Sequence, residues 1–518
     1  MADYLRKNAW NNGGTFENQD LLWYAIGVGI MQTRALDQKN SWWFFGAIHG
    51  QYIDLNFYPG WSFIQSPPSV PVSPKPDQST EDEFWNQCQH QSWYFLPWHR
   101  GYLIALEEQI RSAISTIEGS PQDWALPFWN YFGANQSDMP PAFTQRELPE
   151  LNDLNLPDNF PKANPLFVNE RYGANDIIIG NDPANPLDLS EDCQNIDFFT
   201  GRGFDSGYGG FRTGFWHGGE FDSGGLESNP HNLVHSVIGG SSGASGHNGG
   251  LMSYPGTAAL DPIFYLHHCN IDRFWAAWNT FGNSNPTEAN WLNGPESIGE
   301  RPFVMPLSDG STWNFKPKDI ENNDDLTYSY EGAIEGIIRP VDFMAVRMMK
   351  LGIPNDENIP LSRNLEVEPN IELVGSSSGS HNLINAGLKT NVKLDNISWQ
   401  NVPISLRTAS INKLPDRVFL RIENVTGIND ANILNIKIND LLAKQVSLFG
   451  LFDASISSGH QGGSGLTFTV EVTDFVDDLF INDILDIENI EIDISTVNKL
   501  RDEEVIKIGN ISLYRESL

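Results

Sequence analysis

Asp261-Pro-Ile-Phe-Tyr-Leu-His-His-Cys-Asn-Ile-Asp-Arg-Phe-Trp275 decides the reading of this chain. Asp before Pro is a strong helix start, because Asp offers an N-cap acceptor and Pro tolerates the first helical position. The spacing predicts an amphipathic helix over 261–278. Phe264, His268, Ile271, Trp275 and Trp278 share one inward stripe, and Ile263, His267, Phe274 and Trp278 form a second beside it. Neighbouring residues on a helix point about 100° apart. Only one of His267 and His268 is therefore expected to join a shared metal, and periodicity does not choose between them.

Further histidines lie upstream. In Pro230-His-Asn-Leu-Val-His-Ser-Val-Ile-Gly-Gly240, His231 and His235 stand at i and i+4. On a helix begun near Pro230 and ended by Gly239-Gly240, that spacing puts both imidazoles on one face. His90 and His99 frame Gln91-Ser-Trp-Tyr-Phe-Leu-Pro-Trp, where Pro97 suggests a loop turning into a helix with His99 in its first turn. His49 sits in Ser41-Trp-Trp-Phe-Phe-Gly-Ala-Ile-His-Gly50. One such histidine alone reads as a core residue bonded to a carbonyl. Two groups of three, each set among Trp and Phe, would be costly to bury without a metal. Imidazole-only sites suit copper, zinc or iron, and the scarcity of thiols and carboxylates beside these histidines points to copper.

The chain has 518 residues, room for roughly two to four domains. Its formal net charge is −34. Up to Leu365 there are 20 basic and 44 acidic residues, and after it 12 and 22, so the acidity covers the whole surface. Such a surface argues against nucleic acid and anionic membrane as partners. Aromatic residues make up 12%, too many for a disordered chain. Three cysteines, Cys88, Cys193 and Cys269, make no disulfide framework. The apolar run Leu21–Met31 is about half of what spans a bilayer. Met1-Ala-Asp-Tyr-Leu-Arg-Lys7 has no apolar signal core. The expectation is a cytoplasmic protein, or a secreted one whose leader has been removed.

Composition shifts once. Fifteen of the 16 tryptophans lie at or before Trp313 and nine of the 11 histidines at or before His268. Helical patches such as Leu103–Ile117 alternate there with long Pro/Gly-rich loops. After Leu365 the period becomes two, in Arg417-Val-Phe-Leu-Arg-Ile-Glu-Asn-Val, Leu466-Thr-Phe-Thr-Val-Glu-Val and Ile490-Glu-Ile-Asp-Ile. Gly/Ser/Asn clusters separate these runs, which suggests a β-sandwich of about 150 residues. The expected organisation is a helical domain over 1–330, a linker over 331–365 and an all-β domain over 366–518.

As a set, Phe95-Leu-Pro-Trp-His-Arg-Gly-Tyr-Leu, Leu126-Pro-Phe-Trp-Asn, the 230–240 segment and the 261–275 segment resemble the tyrosinases and polyphenol oxidases. These are type 3 copper proteins, a group that also holds catechol oxidases and haemocyanins. Tyr328-Ser-Tyr330 resembles the tyrosine motif that closes their catalytic domain. The resemblance implies a mainly α domain in which a four-helix bundle holds two coppers. His49, His90 and His99 would bind the first, and His231, His235 and His268 the second. The stretch between His49 and His90 is longer than in the short bacterial enzymes. Cys88, two residues before His90, resembles the cysteine that forms a thioether with that histidine in fungal and molluscan members; the alternative is a buried thiol. Asp272 is a candidate to orient a ligand imidazole, or else to pair with Arg273. Cys193 and Cys269 read as packing residues, and His217, His247, His381 and His460 as structural or exposed.

The implied activity is oxidation of small phenols by O2: ortho-hydroxylation of monophenols and oxidation of o-diphenols to o-quinones. Glu227 resembles the glutamate that holds a water near the coppers, and Asn232 the residue that polarises it; together they would form a base for the phenol. The alternatives are a catechol oxidase without hydroxylation, or a haemocyanin-like oxygen carrier. A zinc or di-iron hydrolase would normally show carboxylate ligands. The C-terminal β-domain resembles the cover of latent enzymes, which places a bulky side chain in the substrate entrance and acts in cis. Ser447-Leu-Phe-Gly-Leu-Phe-Asp-Ala-Ser455 carries two candidates, with Phe452 preferred to Phe449 because a mostly polar stretch follows it. The linker would be the site of activating cleavage.

Overall fold

The structure is a computed structural model. It describes residues 4–50, 59–151, 154–173, 187–216, 221–241, 249–338, 341–353, 368–385, 387–410, 413–457, 463–485, 487–501 and 504–517.

The N-terminal half is built on helices. Helix α1 (Gln19–Gln32) starts at Asn18, whose side chain accepts the Asp20 N–H, and it is buried on nearly every face. Helix α2 (Trp42–His49) starts at Ser41, whose hydroxyl accepts the Phe44 N–H at 3.0 Å. Helix α3 (Phe95–Ile114) carries His99 in its second turn, so the helix begins before Pro97. Helix α4 (Leu233–Gly239) follows a wider turn over Glu227–Asn232. It stops at Gly240, whose φ of +58° and contact with the backbone of Gly173 leave no room for a Cβ. Helix α5 (Ile263–Thr280) begins where Asp261 Oδ1 accepts the Ile263 N–H at 3.0 Å, as the Asp-Pro pair predicts. Helix α1 packs on α3, and α3 on α5. Strands β1 (Tyr4–Arg6) and β2 (Tyr328–Tyr330) pair in parallel and close the domain.

Asp272 corrects the sequence reading. Its carboxylate reaches no ligand imidazole and does not pair with Arg273. One turn beyond His268 it meets two buried guanidiniums: Arg100 Nε donates at 2.6 Å and Arg6 Nη1 at 3.3 Å. The hydroxyls of Tyr328 and Tyr330 donate to the same carboxylate at 2.5 and 2.6 Å. Burial opposes its charge, but Arg100 and Arg6 outweigh burial and hold the carboxyl below its usual range. Asp272 thus clamps β1 and β2 onto the helices.

The segment expected as a linker holds an ordered piece. Helix α6 (Phe343–Lys350) is anchored when Arg347 forks onto Asp477 at 2.8 and 3.0 Å. Residues 354–367 lie outside the described residues.

The C-terminal domain has a separate hydrophobic core. Besides a small pair formed by His381–Leu383 and Ile506–Ile508, its strands are β3 (Asn370–Ser376), β4 (Leu388–Leu394), β5 (Arg417–Val425), β6 (Ile433–Ile438), β7 (Leu441–Ser447), β8 (Leu466–Glu471), β9 (Asn489–Thr496) and β10 (Asn510–Ser517). They form one antiparallel sheet in the order β7-β6-β9-β4-β3-β10-β5-β8, and its two edge strands approach each other. The period-two runs near 417, 466 and 490 become β5, β8 and β9. The sheet docks on the helical domain through polar contacts, among them Arg417 to Asp205 at 2.8 Å and the Thr469 N–H to Asp222 at 3.0 Å. Among the described residues no helix is long and apolar enough to cross a membrane.

Candidate metal centre

Two groups of imidazoles meet inside the helical domain. In each group, one ligand atom per residue lies within 4.8 Å of the others. His49, His90 and His99 form the first; His231, His235, His267 and His268 form the second. His49 ends α2, His90 sits in the loop before α3, and His99 lies on α3. His231 is in the turn before α4, His235 on α4, and His267 and His268 on α5. The groups face each other, with the His99 and His268 rings stacked at 4.5 Å and 14°.

Hydrogen bonds to ring Nδ1 fix the tautomers. His49 Nδ1 donates to the Pro255 carbonyl at 2.9 Å, His99 to Phe95 at 2.8 Å and His235 to Met252 at 2.8 Å. His231 Nδ1 donates to Asn232 Oδ1 at 2.8 Å. The Pro255 contact depends on Gly50: a Cβ there would lie 2.6 Å from the Gly256 Cα. Burial lowers the pKa of His99, His231, His267 and His268 well below the usual histidine value, and that of His235 to about 3. The rings are therefore neutral, and where Nδ1 carries the proton Nε2 presents a lone pair. Yet His99 Nε2 lies 3.5 Å from His49 Nε2, lone pair against lone pair, and His231 Nε2 and His235 Nε2 lie 3.3 and 3.5 Å from His268 Nε2, where a single proton on His268 could serve only one of the two. Lone pairs that converge in this way repel unless a cation sits among them. Neutral imidazoles locked by carbonyls are the usual ligands of a bound transition metal. His268, the later member of the His-His pair, turns Nε2 into the group.

The walls are aromatic. Phe264 lies 4.0 Å from the His268 ring and 4.8 Å from His49, and Phe95 lies 4.6 Å from His99 and 4.7 Å from His231. From the C-terminal domain, the Phe449 ring reaches to 4.3 Å of His235, 5.8 Å of His90 and 6.0 Å of His231. Its tip is made by Gly450, with φ of +83°. Ser447 Oγ bonds Ser236 Oγ at 2.7 Å and ties the loop to α4. Phe452, the preferred candidate, does not reach the imidazoles. It lies in the short helix α7 (Leu451–Ser455) and packs edge-on against Phe63 at 5.1 Å. The glycine after Phe449 was the signal for the tip, since a tight turn projects the residue beside it rather than one already committed to a helix.

Glu227 is buried, and its two carboxylate oxygens accept the Gln91 N–H at 2.8 and 3.0 Å. Burial pushes its carboxyl up to about 8, against the opposing pull of the Gln91 and Gly224 N–H groups. Gln91 itself takes φ of +52°, next to His90. Asn232 accepts from His231 and donates to Ser223 Oγ at 3.2 Å. Gln91, Ser223, Asn232 and Phe449 also border an interdomain cavity of about 900 Å³.

Cys88 is buried, and burial pushes its thiol up. Cys193 and Cys269 are buried in the core of the helical domain. His381 lies in the C-terminal domain with Nε2 2.9 Å from Ser377 Oγ. His217, His247 and His460 lie outside the described residues.

The family described as "Common central domain of tyrosinase" matches residues 39–280, and "Domain of unknown function (DUF7868)" matches residues 370–516. A protein named Tyrosinase HcTyr1, from Hahella sp. (strain CCB-MM4), is 31% identical over 96% of this chain and 97% of its own length. A polyphenol oxidase latent form from Prunus armeniaca is 27% identical over 47% of this chain and 38% of its own length. The solved structure of latent apple tyrosinase shares the fold, with a TM-score of 0.56 at 17% identity over 99% of this chain and 97% of that one.

Proposed function

The chain belongs to the tyrosinase family, is an enzyme that oxidises phenols with two copper ions, and on that footing we propose that it hydroxylates monophenols as well as oxidising o-diphenols, in a form held latent by its own C-terminal domain. Net, a monophenol and O2 give an o-quinone and water. When bound, the copper pair activates O2 for attack on the ring and takes up the electrons of the diphenol.

His49, His90 and His99 hold the first copper, and His231, His235 and His268 the second. The carbonyls of Pro255, Phe95 and Met252 keep three of these imidazoles in the ligating tautomer. A thioether between Cys88 and His90 would lock the His90 ring further. Phe264 and Phe95 exclude water from the ring faces. Glu227 takes the phenol proton through a water that the Asn232 side chain polarises, and its raised pKa brings it nearer to that of a phenol, about 10.

The observation that carries the latent reading is the Phe449 ring stacked at 4.3 Å on His235, a phenol-sized group where a substrate ring would lie. The test compares quinone formation from phenol and from catechol before and after cleavage within residues 331–365. The reading expects several-fold gains on both substrates at constant copper content. No gain after the C-terminal domain is removed would leave that domain a structural role alone.

One observation favours the narrower reading of a catechol oxidase. Both Glu227 oxygens already accept the Gln91 N–H, and the Asn232 carbonyl already accepts from His231. Quinone from catechol with none from phenol, in the cleaved enzyme, would select it.

A further inference from the structure

One imidazole of the second group has no task in the oxidase just described. His267 is fully buried. Its ring makes no well-formed hydrogen bond; its one polar neighbour is the His231 backbone, which can take at most one of the two ring nitrogens and leaves the other with no partner, whereas His49, His99, His231 and His235 each spend Nδ1 on an oxygen. Its ring stacks on His231 at 5.3 Å and 20°, and stands edge-on to His235 at 5.2 Å and to His268 at 5.3 Å. Tyr131 closes the other side at 5.8 Å. A ring nitrogen lies within 4.8 Å of a nitrogen of each of the other three. Leaving a buried polar group unsatisfied costs about 1–3 kcal/mol, and a phenylalanine would fill a similar space without that cost. If packing were its whole role, imidazole would be a poor choice.

We propose that His267 is a reserve ligand of the second copper: when His231, His235 or His268 lets go, its neutral lone pair takes the vacated position and keeps the ion in the site until the ligand returns. The proposal rests on the dicopper reading. A metal leaves a three-imidazole site by losing its bonds one after another, and each partly bound state either rebinds or escapes. A fourth imidazole within reach of all three raises the chance of rebinding. The exchange replaces one neutral nitrogen donor by another, so it moves no proton and no electron. The first group has three imidazoles and no such neighbour among the described residues, so the two coppers differ in how easily they leave.

The test follows copper loss from the cupric holoenzyme under excess EDTA, for the wild type, His267→Phe and His267→Ala, with thermal melting as a check on folding. His267→Phe keeps the ring and its stack on His231 but offers no lone pair. The proposal expects it to shed one of its two coppers about ten- to a hundredfold faster than the wild type, with the other copper unaffected. Release of both coppers at wild-type rates from His267→Phe would overturn it, as would fast loss from His267→Ala alone, which would make the ring a packing element. A second arm starts from His268→Ala. That variant is expected to retain part of its second copper through gel filtration and to lose it when His267→Phe is added; equal retention in both would also overturn the proposal. A wild type that never holds two coppers would instead refute the dicopper reading.

Discussion

The ring of Phe449 lies 4.3 Å from the ring of His235, inclined by 30°. One residue belongs to the C-terminal sheet domain and the other to α4, so the contact joins the two domains at the metal centre itself. It is held from both sides. Ser236, next to His235, bonds Ser447, and Ser447 Oγ in turn accepts the Phe449 N–H at 3.0 Å. A ring fixed in this way competes with any aromatic substrate for the face of the imidazole.

Phe449→Ala should therefore raise catechol oxidation by the intact chain several-fold and leave its copper content unchanged. Phe452→Ala removes a ring from the core of the helical domain and should cost about 3 kcal/mol of stability. Initial rates and denaturant melts separate the two effects. A rate gain from Phe452→Ala with none from Phe449→Ala would invert the assignment.

His99→Ala should lose about one copper per chain and nearly all turnover, because among the described residues the first group has no substitute imidazole. His381→Ala, in the other domain, should keep both coppers and full rate. Copper analysis beside quinone formation decides the matter. Full copper and turnover in the His99 variant would remove that residue from the ligand set.

Local spacing made the site legible. His231 and His235 read as a helical pair, Asp261-Pro262 as a helix start and the period-two runs as strands, because each signal spans only a few residues. The pairings that complete the molecule join residues far apart in sequence. Nothing near Asp272 announces that Arg6 and Arg100 will capture it, and nothing near Glu227 that the Gln91 N–H will hold both its oxygens. Phe449 and Phe452 share one short apolar run; what separates them is the turn at Gly450, with φ of +83°, and the helix that begins at Leu451, and of these only the glycine shows in the sequence. His267 stayed open for the same reason: periodicity turned it away from His268, but the turn bearing His231 folds against it.

Glu227 gives a pH signature. With its carboxyl at about 8, it is a base only above that value, so monophenol hydroxylation should rise with pH through about 8 while catechol oxidation does not follow. Glu227→Gln should slow hydroxylation more than oxidation. The same shift acts on stability. Between the ordinary value of 4.5 and about 8 the folded chain keeps a proton that the unfolded chain has lost, so this group's contribution falls as pH rises across that window. Rate profiles on the two substrates check the first claim and melts of wild type against Glu227→Gln the second. Parallel losses on phenol and catechol would end the proton-transfer role.

The loop that carries Phe449 should also respond to pH. The Asp430 carboxylate accepts the Phe452 N–H at 2.9 Å, and Asp453 lies close enough for the two charges to oppose each other. Desolvation where the domains meet pushes Asp453 up to about 7 and Asp430 well above its usual range. Around them stand Tyr254, Glu504 and Cys88, none of which brings a positive charge. Docked, Asp453 holds a proton up to about pH 7; undocked and in water, it would lose that proton near the ordinary value of 3.8. Docking is thus fully supported below that ordinary value and weakens as pH rises towards 7 and beyond. The ratio of catechol oxidation by the intact chain to that by a chain cut within 331–365 should climb over this range, and Asp453→Asn, which cannot ionise, should flatten the climb. A ratio that stays level in the wild type, or climbs equally in Asp453→Asn, would show that these carboxyls do not govern the contact between Phe449 and His235.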